Sequence, residues 1–413
     1  MSDGNPILYL SGTLPTRSET FVYREIFALR SLGVDVRTAS VHDPVQGLDE
    51  GPLNNLANDT LRIYGRGPFG ILRDSLLELI ERPFRTIPTM IRVLMDACLS
   101  ADVPASRRPK VIWQGHAALS LARRVRPMRV GHIHAHMAHV PATIAMYAAR
   151  QLGVQFSFTG HANDLFPNRT LLAEKLSRAA WANCISDWHR RFYRSLNDRP
   201  DCDYPIVRCG VDTQAIIPVT LAERERIELV AVGRLVEKKG FDVLIAAAGD
   251  MARSDGPPIR VRIAGDGEEA ERLCAQVESL PSGAAVELLG DMPNSEVMAL
   301  MADADVFVIP CRVVSSGDRD GIPVVLMEAM ALGRCVVSGD IETIRELVED
   351  GVTGIMVPPG NKDRLVRVLT ELASDRDLVD TLGRAGRRRV EQEFDLAVNA
   401  QRIFDVLRAR RIL

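Results

Sequence analysis

The 413 residues are 46% hydrophobic, 25% charged and 5% aromatic, with a net charge of −3. That composition excludes a disordered, collagenous or disulfide-stapled chain, and the length exceeds what one ordinary core fills, so two domains are expected. Seven scattered cysteines without CxxC spacing read as reduced thiols, and no run of eighteen apolar residues or basic-headed leader is present, so a cytoplasmic location is expected.

"PILYLSG" reads as a strand leading into "SETFVYREIFALRSLG", a helix that stops at Gly33 before a second strand, "VDVRTASV". Between residues 60 and 130 the chain turns basic, with 13 Lys and Arg against 5 Asp and Glu, interleaved with apolar runs such as "FGILRDSLLELI" and "IRVLMDACL". A basic amphipathic stretch fits an anionic membrane surface, an anionic substrate or ordinary solvated helix faces; its aromatics are too few for nucleic acid. The βαβ rhythm resumes with "GHIHAHMA", "PATIAMYAARQLG" and "VQFSFTG", whose strands are continuous apolar runs, as in a parallel sheet covered on both faces.

His132, His134 and His136 alternate onto one strand face and His139 follows. Zinc or nickel is disfavoured there because no acidic or cysteine ligand stands nearby in the sequence. His161 falls at the carboxyl end of the next strand, where chemistry alone favours a structural role.

After "CGVDTQAIIPVTLAERERI" the pattern restarts with the strands "ELVAVGRL", "IRVRIAGDG", "AVELLGD", "DVFVIPC" and "CVVSGD", separated by helices such as "FDVLIAAAGDMA" and "NSEVMALMADA". The fold class is therefore α/β, with two doubly wound Rossmann-like domains in tandem: residues 1–212, 213–390, and a terminal helix, 391–413, expected to pack back on the first domain. Residues 1–212 carry a charge of +6 and the rest −9.

In "VAVGRLVEKKGFDVLI" a strand ends at Gly233, and Arg234, Lys238 and Lys239 precede a helix starting near Phe241. Two of only five lysines stand here, beside a helix N-terminus, which is the make-up of a phosphate site. The spacing is not a Walker loop, and Ala270 occupies the third glycine position of a dinucleotide fingerprint in "AGDGEEAERL", which argues against a dehydrogenase. Gly265 and Gly267 instead suggest a tight turn after a strand, against a ligand.

"DGIPVVLMEAMALG" predicts a short buried helix with Pro323 in its first turn and Gly333 just past its end. Glu328 inside it needs a partner, either an arginine or the vicinal hydroxyls of a ribose. Asp320 lies on the order of 12 Å away at ~1.5 Å per residue, and the amides of Gly321 and Ile322 stand between the two acids. With Arg234 and Lys239 opposite, these groups suit a nucleoside diphosphate sugar without a metal.

Through "VGRLVEKKGFDVLI", "IAGDGEEAERL", "LLGDMPNSEVMALMADADVFVIPC", "DGIPVVLMEAMALGRCVV" and "LVEDGVTGIMVPPGN" the sequence resembles the retaining glycosyltransferases of family four, in particular the branch that builds bacterial exopolysaccharides of the colanic-acid type. The resemblance implies the GT-B architecture, with two Rossmann-like domains facing across a cleft. It implies that Arg234 and Lys239 hold the donor pyrophosphate, Glu328 the ribose, and Asp320, Gly321 and Ile322 the donor sugar, with Gly265 and the backbone near Met292 also on the donor. The family usually has Glu where this chain has Asp320, a side chain one carbon shorter, with about 1.5 Å less reach.

"PTRSETFVYREIFALRSLG", "IHAHMAHVPATIAMYAA" and "FSFTGHANDLF" resemble the family's first domain, which implies an acceptor side at Thr13, Ser18, Glu19 and His161, the last being the active-site histidine. The expected activity is sugar transfer from a UDP-, GDP- or dTDP-sugar to a carbohydrate or lipid-linked hydroxyl, with no cofactor or metal, at the inner face of the membrane. A nucleotide-sugar epimerase of the same architecture and a non-catalytic nucleotide-sugar-binding protein are the alternatives.

Overall fold

Strand β1 (Ile7–Ser11) is buried at every residue and its side chains divide between two layers, Leu8 and Leu10 in one apolar cluster, Ile7 and Tyr9 in another. A strand buried on both faces requires helices on both sides of its sheet. The computed structural model, which describes residues 5–16, 19–45, 51–161, 165, 169–200, 203–254 and 257–413, meets that requirement twice.

The first unit comprises residues 1–208 and 399–413. Its further strands are β2 (Val36–Ser40), β3 (Leu61–Arg62), β4 (His132–His136), β5 (Gln155–Gly160) and β6 (Trp181–Cys184). Its helices are α1 (Thr20–Ser31), α2 (Gly51–Asp59), α3 (Gly67–Glu81), α4 (Pro83–Leu99), α5 (Arg108–Val125), α6 (Val140–Leu152), α7 (Leu172–Arg178) and α8 (Asp187–Leu196). The second unit, Cys209–Val398, contains β7 (Ile227–Val232), β8 (Ile259–Ala264), β9 (Ala285–Gly290), β10 (Val306–Ile309), β11 (Cys335–Gly339) and β12 (Ile355–Val357). Between and after them run α9 (Phe241–Met251), α10 (Ala270–Glu278), α11 (Asn294–Ala302), α12 (Val324–Ala331), α13 (Lys362–Ser374) and α14 (Arg376–Glu393), and α15 (Leu396–Ala409) carries the chain back into the first unit.

The strand orders are β3-β2-β1-β4-β5-β6 and β12-β11-β10-β7-β8-β9, all parallel. Each sheet therefore reverses its winding once, at β1/β4 and at β7/β10, and loops leaving the strand ends part there to leave a ligand crevice.

Two expected boundaries shift. The division after residue 212 falls at 208, because Val211 bridges to Asp395 and lies in the second unit's core. The terminal helix starts at Leu396 rather than 391, since α14 runs on to Glu393 and buried Phe394 ends it, with Asp395 accepting from the Val398 amide. Ile403 and Leu407 of α15 pack with Ile7, Tyr9 and Trp181, and Arg410 donates to the Ala180 carbonyl at 2.6 Å.

Candidate active site

The loops that follow β7, β8 and β9 are tied to one another by backbone bonds at the carboxyl end of the second sheet. Gly265 N donates to Gly290 O at 2.8 Å, Leu235 N to Asp266 O at 2.9 Å, and Glu269 N to Leu235 O at 2.9 Å. Gly265 serves this approach rather than a ligand alone: at φ +143 a Cβ there would stand 1.9 Å from the Gly233 carbonyl oxygen. Gly240, at φ +71, closes the switch point in the same way, its missing Cβ lying 2.2 Å from Pro310 O, while Arg312 N donates to Lys238 O at 2.8 Å. A Gly265→Ala chain should therefore lose roughly 2–3 kcal/mol of stability, visible as a lower melting midpoint, because backbone rather than a movable side chain must yield.

Within this frame the acid–lysine cluster is more tightly coupled than the sequence suggested. Lys239 Nζ lies 2.9 Å from Asp320 Oδ2, and buried Lys238 lies 3.1 Å from Asp318 and 3.8 Å from Asp320. The Cys311 thiol donates to Asp320 Oδ2 at 3.2 Å, and the Thr343 hydroxyl donates to the Asp320 carbonyl at 2.9 Å. Burial pushes the Asp320 carboxyl up, but Lys239 and Lys238 outweigh it and hold the group below its usual range. Burial likewise pulls the Lys239 ammonium down, and Asp320 more than restores it, so both are charged at neutral pH. The Cys311 thiol, raised by burial and then by Asp320, stays protonated.

The expected picture of Lys239 as a cation standing opposite the acids is corrected: it is bonded to one of them. An ammonium has three N–H donors, so capacity for phosphate oxygens remains. Arg234 is exposed in the loop after β7. Lys238 was expected in the phosphate loop and is instead bonded to Asp318; Asp318, Cys311 and Thr343 were not singled out from the sequence, since 80 residues separate Asp318 from Lys238.

Glu328 is buried within α12, as the sequence predicted. Pro323 caps that helix instead of opening its first turn, so Gly321 and Ile322 lie in the preceding loop, Ile322 buried. Gly333, at φ +76, ends the helix as expected. Gly265 closes the β8 loop, and Met292 is half-buried beyond β9 against the core.

In the first unit the His strand and its neighbours form a chain of polar groups. Tyr9 donates its hydroxyl to Glu25 Oε1 at 2.9 Å; the same oxygen is 3.2 Å from His136 Nε2, and His136 Nδ1 is 3.3 Å from His161 Nε2. His189 Nε2 donates to the His161 carbonyl at 2.7 Å, and the Phe21 ring stands 4.4 Å from the His161 ring. His161 is thus fixed at the end of β5 through both ring and backbone. Burial, followed by the neighbouring His136, His189 and His139, lowers its pKa well below the ordinary imidazole value and keeps it neutral. Thr13 follows β1 and Glu19 immediately precedes α1, both half-buried; Ser18 lies outside the described residues.

The sequence argument that no acid stands near the histidines is overturned by Glu25, which α1 delivers to them. Glu25, His134 and His136 offer ligand atoms within 4.8 Å of one another. Each imidazole nitrogen of that group lies at hydrogen-bond distance from a partner, His134 from Ser157 at 2.7 Å and Thr159 at 3.0 Å, His136 from His161 at 3.3 Å and from Glu25 at 3.2 Å.

A family model described as glycosyl transferases group 1 matches residues 212–389. A Salmonella typhimurium protein carrying the name colanic acid biosynthesis glycosyltransferase WcaL is 39% identical over 404 residues, covering 94% of this chain and 96% of the relative. The Erwinia amylovora amylovoran biosynthesis glycosyltransferase AmsK is 30% identical over 203 residues, 49% of this chain and 50% of the relative. Among solved structures, Anabaena Alr3699/HepE in complex with UDP superposes with a TM-score of 0.70 at 16% identity, covering 98% of this chain and all of the other, which establishes a shared fold.

Proposed function

This chain belongs to the group 1 glycosyl transferases, and from that premise we propose that it moves a sugar from a nucleoside diphosphate donor to a carbohydrate or lipid-linked hydroxyl, with retention at the anomeric carbon and without a metal. The relatives named for colanic acid and amylovoran biosynthesis support a role in exopolysaccharide assembly, and we place that role at the inner face of the membrane. No helix among the described residues is long and apolar enough to cross a membrane.

The observation that carries the reading is the pairing of half-buried Lys239 with buried Asp320 at the switch point of the second sheet. A cation held in place by a carboxylate needs little reorganisation when a diphosphate arrives or departs. Lys239, Arg234 and the amides of Gly321 and Ile322 stabilise the leaving diphosphate, Asp320 and Glu328 hold hydroxyls of sugar and ribose, and Gly265 and Met292 border the donor. Thr13, Ser18, Glu19 and His161 serve the acceptor side. The one thiol in the cluster, Cys311, is buried and protonated, which is not the form of a nucleophilic cysteine.

A thermal-shift screen of UDP-, GDP- and dTDP-sugars should find one that raises the melting midpoint, and NMR of the product formed with the best donor should show the donor's anomeric configuration. EDTA should leave turnover unchanged. Glu328→Ala should raise the donor KM about tenfold or more with a smaller effect on kcat, since one charge-assisted hydrogen bond contributes about 1.5–3 kcal/mol. An inverted anomer, or chelator-sensitive turnover, overturns the corresponding part of the proposal.

A further inference from the structure

Helices α3 and α4 are built inside out. On α3 the inward positions are Ile71, Asp74, Ser75 and Glu78; on α4 they are Thr86, Thr89, Val93, Asp96 and Ala97. The outward positions are Phe69, Leu72, Leu76, Leu79 and Ile80 on the first helix, and Phe84, Ile87, Ile91, Leu94 and Met95 on the second. Both rows step by three, four, three and one residues, the spacing of one helical face. Phe69 is 90% and Phe84 93% exposed, far beyond the scattered apolar exposure of an ordinary surface.

The inversion is not a packing accident, because the inward polar groups are satisfied. Asp74 accepts from Ser120 at 2.8 Å, Glu78 from Arg126 and Gln151 at 2.8 Å each, and Asp96 from Arg178 at 2.8 Å and Tyr147 at 2.9 Å. Water therefore meets hydrocarbon on the outer side while the chain keeps its acids within.

Charge is sorted in the same sense. Arg73, Arg82 and Arg85 are exposed, whereas Asp74, Glu78 and Asp96 are buried. The exposed acid of the pair, Glu81, is held by Arg123 at 2.8 Å. An apolar face bordered by exposed guanidinium groups, of which Arg73 lies 3.8 Å from the buried Asp74, matches an acyl-chain boundary beneath anionic headgroups. At 15 and 17 residues neither helix reaches the length of a span, so each would lie in the interface.

We propose that the outer face of α3 and α4 docks this protein on an anionic bilayer surface, with Phe69 and Phe84 inserted below the headgroups and the arginines among them. This rests on the membrane-face location proposed above, not on the transfer reaction. Sedimentation with phosphatidylcholine vesicles, with and without phosphatidylglycerol, tests it. The wild-type chain should bind the anionic vesicles at least tenfold more tightly. A Phe69→Ser/Phe84→Ser chain should lose tenfold or more of that binding while keeping its melting midpoint and turnover of a soluble acceptor, and Arg73→Glu/Arg82→Glu should lose the preference for anionic lipid.

Wild-type binding that survives both double substitutions overturns this surface and leaves the membrane location standing. A wild-type chain that binds neither vesicle overturns both. A dimer in analytical ultracentrifugation that the Phe69→Ser/Phe84→Ser chain dissociates, without vesicle binding by either protein, assigns the face to a second copy and overturns the lipid proposal.

Discussion

Lys239→Ala should lower kcat/KM for the preferred nucleotide sugar by about 100-fold or more, the largest loss expected from any single substitution in the second unit. One charge-assisted bond to a phosphate contributes about 1.5–3 kcal/mol, a factor of roughly ten to a hundred. A second loss adds to it: Asp320 would keep Lys238 at 3.8 Å and the Cys311 thiol, but not the ammonium at 2.9 Å. Burial, the largest influence on that carboxyl, would then push it upward with less opposition.

The pH dependence separates the two effects. In the wild-type chain Asp320 titrates below the usual carboxylate range, so its contribution to stability is present above the unfolded value and is lost only as pH falls through the lower folded one. Lys239 titrates above the usual amine range, so its contribution is present below the unfolded value and is lost as pH rises through the higher folded one. The pair is therefore intact between about pH 5 and 9 and contributes no inflection there. The Lys239→Ala enzyme should gain an acid-limb inflection, and Lys239→Arg should recover part of the activity without it. Turnover near wild type after Lys239→Ala, with a flat profile, would remove the diphosphate assignment.

What the sequence made legible follows from where its signals are local. Both parallel sheets could be read because continuous apolar runs such as "PILYLSG" and "DVFVIPC" have one physical solution, burial on both faces, and the glycines at 233, 265 and 333 mark strand and helix ends by backbone geometry alone. The partners of the charged groups were not legible. Lys239 and Asp320 are 81 residues apart in sequence, and only the adjacency of β7 and β10 brings them to 2.9 Å. Glu25 reaches His136 across 111 residues for the same reason, with β1 beside β4. The inversion of α3 and α4 escaped because periodicity reports that a helix has an apolar face, not which way it turns. Its cue was the regular placing of Asp74, Glu78 and Asp96, whose partners lie on other helices.

The other large effect is expected on kcat, from Glu25→Ala. An ionised carboxylate only accepts, so a neutral His136 ring would donate through Nε2 and be left with Nδ1 as an acceptor; His161 would then donate through Nε2, with its own Nδ1 the acceptor nitrogen. Glu25 thereby selects the tautomer of a ring two bonds away, and a neutral imidazole presenting an acceptor nitrogen is suited to receive a hydrogen bond from a sugar hydroxyl. Without the carboxylate the chain can reverse, and a reversed His161 would aim a proton where a lone pair is needed. Loss of a correctly oriented catalytic group costs roughly ten- to a hundredfold or more, so kcat should fall by about that factor with the donor KM little changed. Glu25→Gln should restore most of it, because Tyr9 and His136 both bond to the same oxygen, which an amide carbonyl can supply. Steady-state kinetics on the two variants, with nitrogen-15 shifts reporting the His161 tautomer, make the test: a glutamine enzyme as impaired as the alanine one, or an alanine enzyme with undiminished kcat and an unchanged tautomer, would show that Glu25 does not order the chain.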